Sequence, residues 1–141
     1  QAREERNLAP PYQTDELPAF YSTSSGIKLK ARVESAEEAA QIAKAHWDLG
    51  LRSGILLVVP PPAETAIERN IVEGWIEKAL ALAEQDGISG NAITPYLLEH
   101  VSALSEGRSM QTNIALLENN ARVAAEVAGF LAAGFPGKQF V

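Results

Sequence analysis

The stretch SGILLVVPPP, Ser53 to Pro62, decides the fold class. Ile55 to Val59 is an unbroken aliphatic run without the polar alternation of a half-solvated strand. Such a run, bounded by glycine and proline, fits a strand covered on both faces, as in the parallel sheets of α/β proteins. The triple proline Pro60 to Pro62 ends it, because proline fixes φ and offers no N–H to a ladder. To either side the pattern is helical. Ser35 and Glu38 form a capping box ahead of Ala36, Ala39, Ala40, Ala43 and Trp47, and Gly50 closes a helix predicted over Ser35–Leu49. A second helix is expected over Glu64–Gln85, with Ile67, Ile71, Trp75, Ala79 and Ala83 in one row. Thr94-Pro95 opens a third with a capping hydroxyl and proline at the first helical position, running to Ser105. A fourth runs from Ser109 to Ala133.

One buried strand among four helices has no sheet to join, and its backbone groups need partners. Leu17–Tyr21 and Ile27–Val33 are candidate extra strands; the favoured reading is that another polypeptide segment completes the sheet. Residues 1–13 carry charge and then prolines without periodicity, and read as an N-terminal tail or linker ahead of a domain over residues 14–141. Thr14 to Gly26 suits a loop that packs Phe20 and Tyr21 inward and shows the hydroxyls of Ser22 to Ser25 at its tip.

Bulk properties set the class. The chain has 141 residues, 46% apolar and 21% charged, enough for one globular domain that buries roughly 68–70% of its unfolded surface. A net charge of -6 argues against nucleic acid and anionic membrane surfaces as partners. The absence of cysteine removes disulfides, zinc-thiolate sites and thiol nucleophiles. His46 and His100 stand alone, so no metal site is expected from this chain, and each reads as a boundary or surface residue. No apolar run is long enough to span a bilayer, and a cytoplasmic setting is the expectation. Trp47 and Trp75 fall at core spacing.

The candidate site lies in GRSMQTNIALLENNARVAAEVA, Gly107 to Ala128. Ser109 can cap the fourth helix, and Arg108 beside that positive end is unfavourable unless an anion also binds there. Asn113 and Asn120, seven residues apart, share a face with Leu117, Ala121 and Ala124. A carboxamide on a packing face needs partners for its donors and its acceptor, within the fold or from a polar ligand. The bland alternatives are an internally bonded amide, a surface arginine and a plain cap. Asn120 reads as the more structural of the two amides.

Four segments, ELPAFYSTSSG (Glu16–Gly26), LLVVPPP (Leu56–Pro62), ITPYLLEHV (Ile93–Val101) and GRSMQTNIALLENNA (Gly107–Ala121), resemble the pseudouridine-5'-phosphate glycosidases, the indigoidine synthase A-like family. The resemblance spans Thr14 to Ala132 and covers only the C-terminal half of such proteins. It implies an α/β/α layered fold, a homotrimer and a divalent metal, usually Mn2+. The reaction it implies is reversible cleavage of the C–C glycosidic bond of pseudouridine 5'-phosphate to uracil and ribose 5-phosphate through a lysine Schiff base. That chemistry is sensible: a C–C bond lacks the oxygen that paired-carboxylate hydrolysis protonates, and an iminium supplies the electron sink instead.

The resemblance also places the lysine nucleophile, the proton-transferring glutamate and the metal-associated aspartate in the other half. No lysine here, Lys28, Lys30, Lys44, Lys78 or Lys138, matches the nucleophile's motif, and Leu17 stands where the family usually has phenylalanine. No catalytic residue is therefore assigned to this chain. Asn113 alone lands on a family position, one that contacts substrate. The substrate-binding candidates are Asn113, Ser109, Arg108 and Asn120. The expected partners are an N-terminal half, as a separate chain or cleaved fragment, and a sugar phosphate. Rival readings are a truncated relative without lyase activity, a C-glycosylating enzyme of secondary metabolism, and a non-catalytic helical interaction module.

Overall fold

A computed structural model of the protein describes residues 9–133. It contains α1 (Ala36–Asp48), α2 (Arg69–Gln85), a single 3-10 turn (Gly90–Ala92), α3 (Ile93–Leu104) and α4 (Arg108–Ala133). Extended segments pair at isolated bridges, so the class is α/β, as expected, with the helices dominant. The chain divides into two compact units, one of Gln1–Leu17, Gly26–Val59 and Glu118–Val141, the other of Pro18–Ser25 and Pro60–Leu117. The division is interleaved in sequence.

The first unit is organised by Pro10–Gln13. Val58 N–H donates to Pro10 O at 3.1 Å and Tyr12 N–H to Val58 O at 2.8 Å. On the opposite side Val33 N–H donates to Pro11 O at 3.0 Å and Gln13 N–H to Val33 O at 2.7 Å. Both pairings are parallel. The expected tail is thus, from Pro10 onward, the middle of the sheet-like pairing; residues 1–8 of it lie outside the described residues. Prolines conceal this role from a pattern reading, yet their carbonyls accept as well as any others. Asp15–Leu17 and Ile27–Leu29 add an antiparallel pair, Leu17 N–H to Ile27 O and Leu29 N–H to Asp15 O, both 2.9 Å. The candidate extra strands therefore do pair.

Ile55–Val59 differs from its expectation. Leu56 is 64% exposed and its neighbours are half-buried, so this run is not covered on both faces by the described residues. Tyr12, Val33, Ala39 and Val123 form the unit's core, with Leu57, Val59 and Ile42 packed against it. Full burial of a valine such as Val33 contributes roughly 1.5–3 kcal/mol. α1 docks its small alanine face there, with Ala36, Ala39, Ala40 and Ala43 all buried. Its capping box forms with a shift: Ser35 Oγ accepts Glu38 N–H at 3.1 Å, but Glu38 reaches back to Glu34 N–H at 2.8 Å. His46 is buried rather than superficial, with Nε2 3.1 Å from both the carbonyl and the hydroxyl of Ser53. Trp47, expected in a core, is 45% exposed.

The second unit packs α2 on α3 around Tyr21, Ile67, Val72, Ala79 and Val101, with Trp75 and Leu97 against them. α2 begins at Arg69, five residues after the expected Glu64. Ile67 explains the delay. Its N–H donates to Tyr21 O at 2.8 Å and its carbonyl accepts Ser22 Oγ at 2.6 Å, so both backbone groups are committed elsewhere. α3 starts two residues before Pro95, and Ala92 precedes it without a side-chain cap. Thr94 therefore does not cap it. Pro95 is still tolerated, because the N–H groups of a first turn have no helical acceptor.

Candidate functional site

The fourth helix begins with a tight reversal: Glu106 and Gly107 both have positive φ, 53° and 81°. Gly107 N–H donates to Ser102 O at 2.9 Å and Arg108 N–H to Ser105 O at 3.1 Å, tying the turn to the end of α3. The capping assignment moves. Ser109 is already inside α4, and Ser105 Oγ accepts its N–H at 3.1 Å. The hydroxyl that satisfies the first turn therefore sits four residues earlier than expected.

Around this turn a set of hydroxyls is buried together. Ser22, Ser105, Ser109 and Thr112 are each at most 3% exposed, and Tyr21 is buried beside them. Ser105 Oγ lies 3.0 Å from Ser109 Oγ, Tyr21 OH bonds Ser109, and Thr112 Oγ1 donates to Thr65 O. Burial pushes the Tyr21 phenol above its ordinary value, and its bond to Ser109 offsets part of that shift. Buried hydroxyls without partners are costly, and no buried side-chain polar atom is left unpaired among the described residues. This network holds the Tyr21–Ser22 turn against the start of α4.

Sequence reasoning found part of this. Ser109 is 1% exposed and its hydroxyl is engaged by Ser105 and Tyr21, so a ligand would reach it only by displacing one of them. Arg108 is exposed and its guanidinium stands 5.8 Å from the centre of the Trp75 ring, a cation–π contact that compensates for its place at a positive helix end. Asn113, one turn beyond Ser109, is half-buried and makes no side-chain hydrogen bond among the described residues. Asn120 is exposed and lines an apolar groove of about 410 Å³ with Leu57, Val59, Val123 and Val127 in the first unit. Asn113 belongs to the second unit. The two amides thus sit in different surroundings, Asn113 beyond the hydroxyl network and Asn120 on a greasy wall.

Missed by sequence were Ser105, Thr112 and the exposure of Phe20. The serine and threonine gave no signal beyond ordinary polar helix residues. Phe20, expected to pack inward, is 51% exposed at φ 50°. A bulky residue in that region costs on the order of 1–3 kcal/mol. Among the described residues no group of three or more His, Asp or Glu side chains comes together. No helix among them is long and apolar enough to cross a membrane.

Paired extended segments and the four helices together define a portion of an α/β protein. The chain belongs to the indigoidine synthase A-like protein family, whose model matches residues 8–129. It is 49% identical over 117 residues to a pseudouridine-5'-phosphate glycosidase of Caldanaerobacter subterraneus, and 50% identical over the same length to that of Herpetosiphon aurantiacus. These alignments cover 83% of the chain but 38% and 39% of the relatives, so it spans about two fifths of their length. Among solved structures it is similar to the prealnumycin C-glycosynthase AlnA in complex with ribulose 5-phosphate, at 35% identity and a TM-score of 0.81. That likeness covers 90% of this chain and 42% of the other. An indigoidine synthase A-like protein of Thermotoga maritima matches with a TM-score of 0.74 at 29% identity, over 86% of this chain and 40% of that one.

Proposed function

We propose that this chain forms the substrate-binding portion of a pseudouridine-5'-phosphate glycosidase, which reversibly splits the C–C glycosidic bond to uracil and ribose 5-phosphate. The reading rests on one observation above the others: a half-buried Asn113 carboxamide, unbonded within the described residues, one turn beyond a fully bonded hydroxyl network. An amide of that kind is ready to donate to and accept from sugar or base oxygens without first breaking an internal bond. The names of the relatives supply the substrate class.

In this reading the Schiff-base lysine, the proton-transferring acid and the greater part of a divalent metal site, Mn2+ by family resemblance, come from polypeptide outside this chain. The rest of the fold also completes the pairing beside Ile55–Val59, and the completed unit works as a trimer in the cytoplasm. Arg108 stands at the positive end of α4, where a substrate phosphate would add to its Trp75 contact. A second reading, C-glycoside synthesis with another aglycone, is favoured by the likeness to AlnA and its bound ribulose 5-phosphate.

The test is Asn113→Ala in the enzyme completed with the remaining polypeptide. Loss of one transition-state hydrogen bond lowers kcat/KM about 10- to 100-fold with folding intact. Unchanged turnover and affinity remove Asn113 from the site. Running the synthesis with uracil and with larger planar acceptors separates the two readings.

A further inference from the structure

The edge beside Val58 is open. Val58 donates its N–H to Pro10 O and accepts Tyr12 N–H at its carbonyl, and in extended chain the neighbours of such a residue turn their polar groups the opposite way. Leu57 and Val59 N–H accordingly meet no acceptor among the described residues. Both residues are half-buried, and an unpaired edge of that kind is a template for another strand. Their side chains border the apolar groove of about 410 Å³, whose other wall is Val123, Ala124, Val127 and Ala128 of α4. Edge and groove therefore share two residues, and all of this lies in the first unit. A small-molecule site of about 300–1,000 Å³ needs polar groups that converge on the ligand. Here no charged side chain lines the groove, and its one polar side chain, Asn120, is exposed. The walls suit apolar side chains rather than a metabolite.

Both pairings of the Pro10–Gln13 segment are parallel. Parallel neighbours are joined by a crossover, usually a helix, that lies on a face of the sheet. In this unit α1 stands in sequence between Val33 and Val58 and packs Ala39 on the core that holds Val33. α4 packs Val123 and Val127 on the same core, and the groove opens where it passes Leu57 and Val59. Ala124 and Ala128, exposed and about one turn apart, keep that wall low enough for a further helix to approach closely. A second copy brought up by a two-fold axis normal to the sheet would meet this edge antiparallel, unlike the pairings already made. The chain spans about two fifths of its relatives' length, so a longer stretch of the same enzyme can supply a parallel strand together with its helix. We propose that a strand–helix unit of that remaining polypeptide docks here. Its strand adds in parallel to the free edge and accepts from Leu57 and Val59 N–H, and its helix lays an apolar face into the groove beside α4. The inference rests on the glycosidase reading and adds to it the place and form of the contact between the two portions.

The experiment co-expresses this chain with the portion of the Caldanaerobacter relative outside the matched residues, and compares amide exchange in the chain alone and in the complex. Leu57 and Val59 are expected to exchange freely in the chain alone and to slow at least about 100-fold in the complex. Val58, already bonded to Pro10, should be protected in both. Ala128→Glu puts a charge into the groove from an exposed helical position. It should leave the Tm of the chain alone unchanged and weaken the complex at least about tenfold. Ala125→Glu, exposed on the same helix but outside the groove, should assemble as the parent does. A complex in which Leu57 and Val59 exchange as fast as before overturns the inference. Equal affinities of parent and Ala128→Glu, or equal weakening by Ala125→Glu, do the same. Protection of the two amides in the chain alone through self-association would make the occupant a second copy and overturn it too, as would failure of the unsubstituted chain to form a complex. A complex with the expected protection that releases no uracil from pseudouridine 5'-phosphate defeats the glycosidase reading and leaves the docking in place.

Discussion

The two units satisfy their polar groups by different means. In the second, side chains do it: Ser22, Ser105, Ser109, Thr112 and Tyr21 bond one another or nearby backbone, out of water. In the first, backbone does it, through parallel pairing of Val33 and Val58 on either side of Pro10–Gln13. The consequences diverge. A side-chain network closes on itself and fixes one geometry, which suits a binding turn. A backbone pairing made of single bridges leaves strand edges to be extended, and Leu56 stands exposed beside one of them. The contrast places precision in one unit and incompleteness in the other.

The largest expected effect probes the backbone-paired unit. Val33 is wholly buried in this unit's core, so Val33→Asp puts an unpaired charge there and costs more than about 4 kcal/mol. Hydrogen exchange should then lose protection at the amides of Tyr12, Gln13 and Val58. Retained protection there would mean that the pairing does not depend on this core.

A smaller change tests the side-chain network. Tyr21→Phe removes the bond to Ser109 while keeping the ring, and should destabilise the protein by about 1–2 kcal/mol, read from a denaturant melt. A loss near zero would show that the network is ornamental and that apolar packing alone holds the turn.

The smallest effect is one of pH. Tyr96 donates to the Asp86 carboxylate at 2.6 Å, and that bond raises the phenol from 10.0 to about 12. A raised folded-state value gives a contribution fully present below pH 10 and lost as pH climbs toward about 12. Tyr96 is only half-buried and Asp86 is exposed, so solvent screens the bond and the step is small. Melts across that window should show it in the parent and not in Tyr96→Phe; identical profiles would dissolve the contact.

Much of this was legible from residue patterns. The alanine face of α1, its Ser35 cap and Gly50 at its end came from helical periodicity and local turn chemistry, which depend on neighbours in sequence. Asn113 was visible as an amide out of place on an apolar stripe. What escaped depends on distant partners. The start of α2 is set by Ile67 bonding to Tyr21 and Ser22, and the pairing role of Pro10 and Pro11 appears only when Val33 and Val58 come alongside. The cap of α4 moved from Ser109 to Ser105 because two consecutive positive-φ residues reverse the chain there, which composition does not announce at Glu106.

The central claim is that this chain carries the binding turn of a glycosidase whose reacting lysine lies in other polypeptide. It is tested by following uracil release from pseudouridine 5'-phosphate, first with this chain alone and then with it assembled on the remaining portion of the Caldanaerobacter relative. The account predicts no release alone and sustained release from the assembly, diminished by Asn113→Ala. Release by the chain alone at an equal rate, or a stable assembly that cleaves nothing, would contradict it.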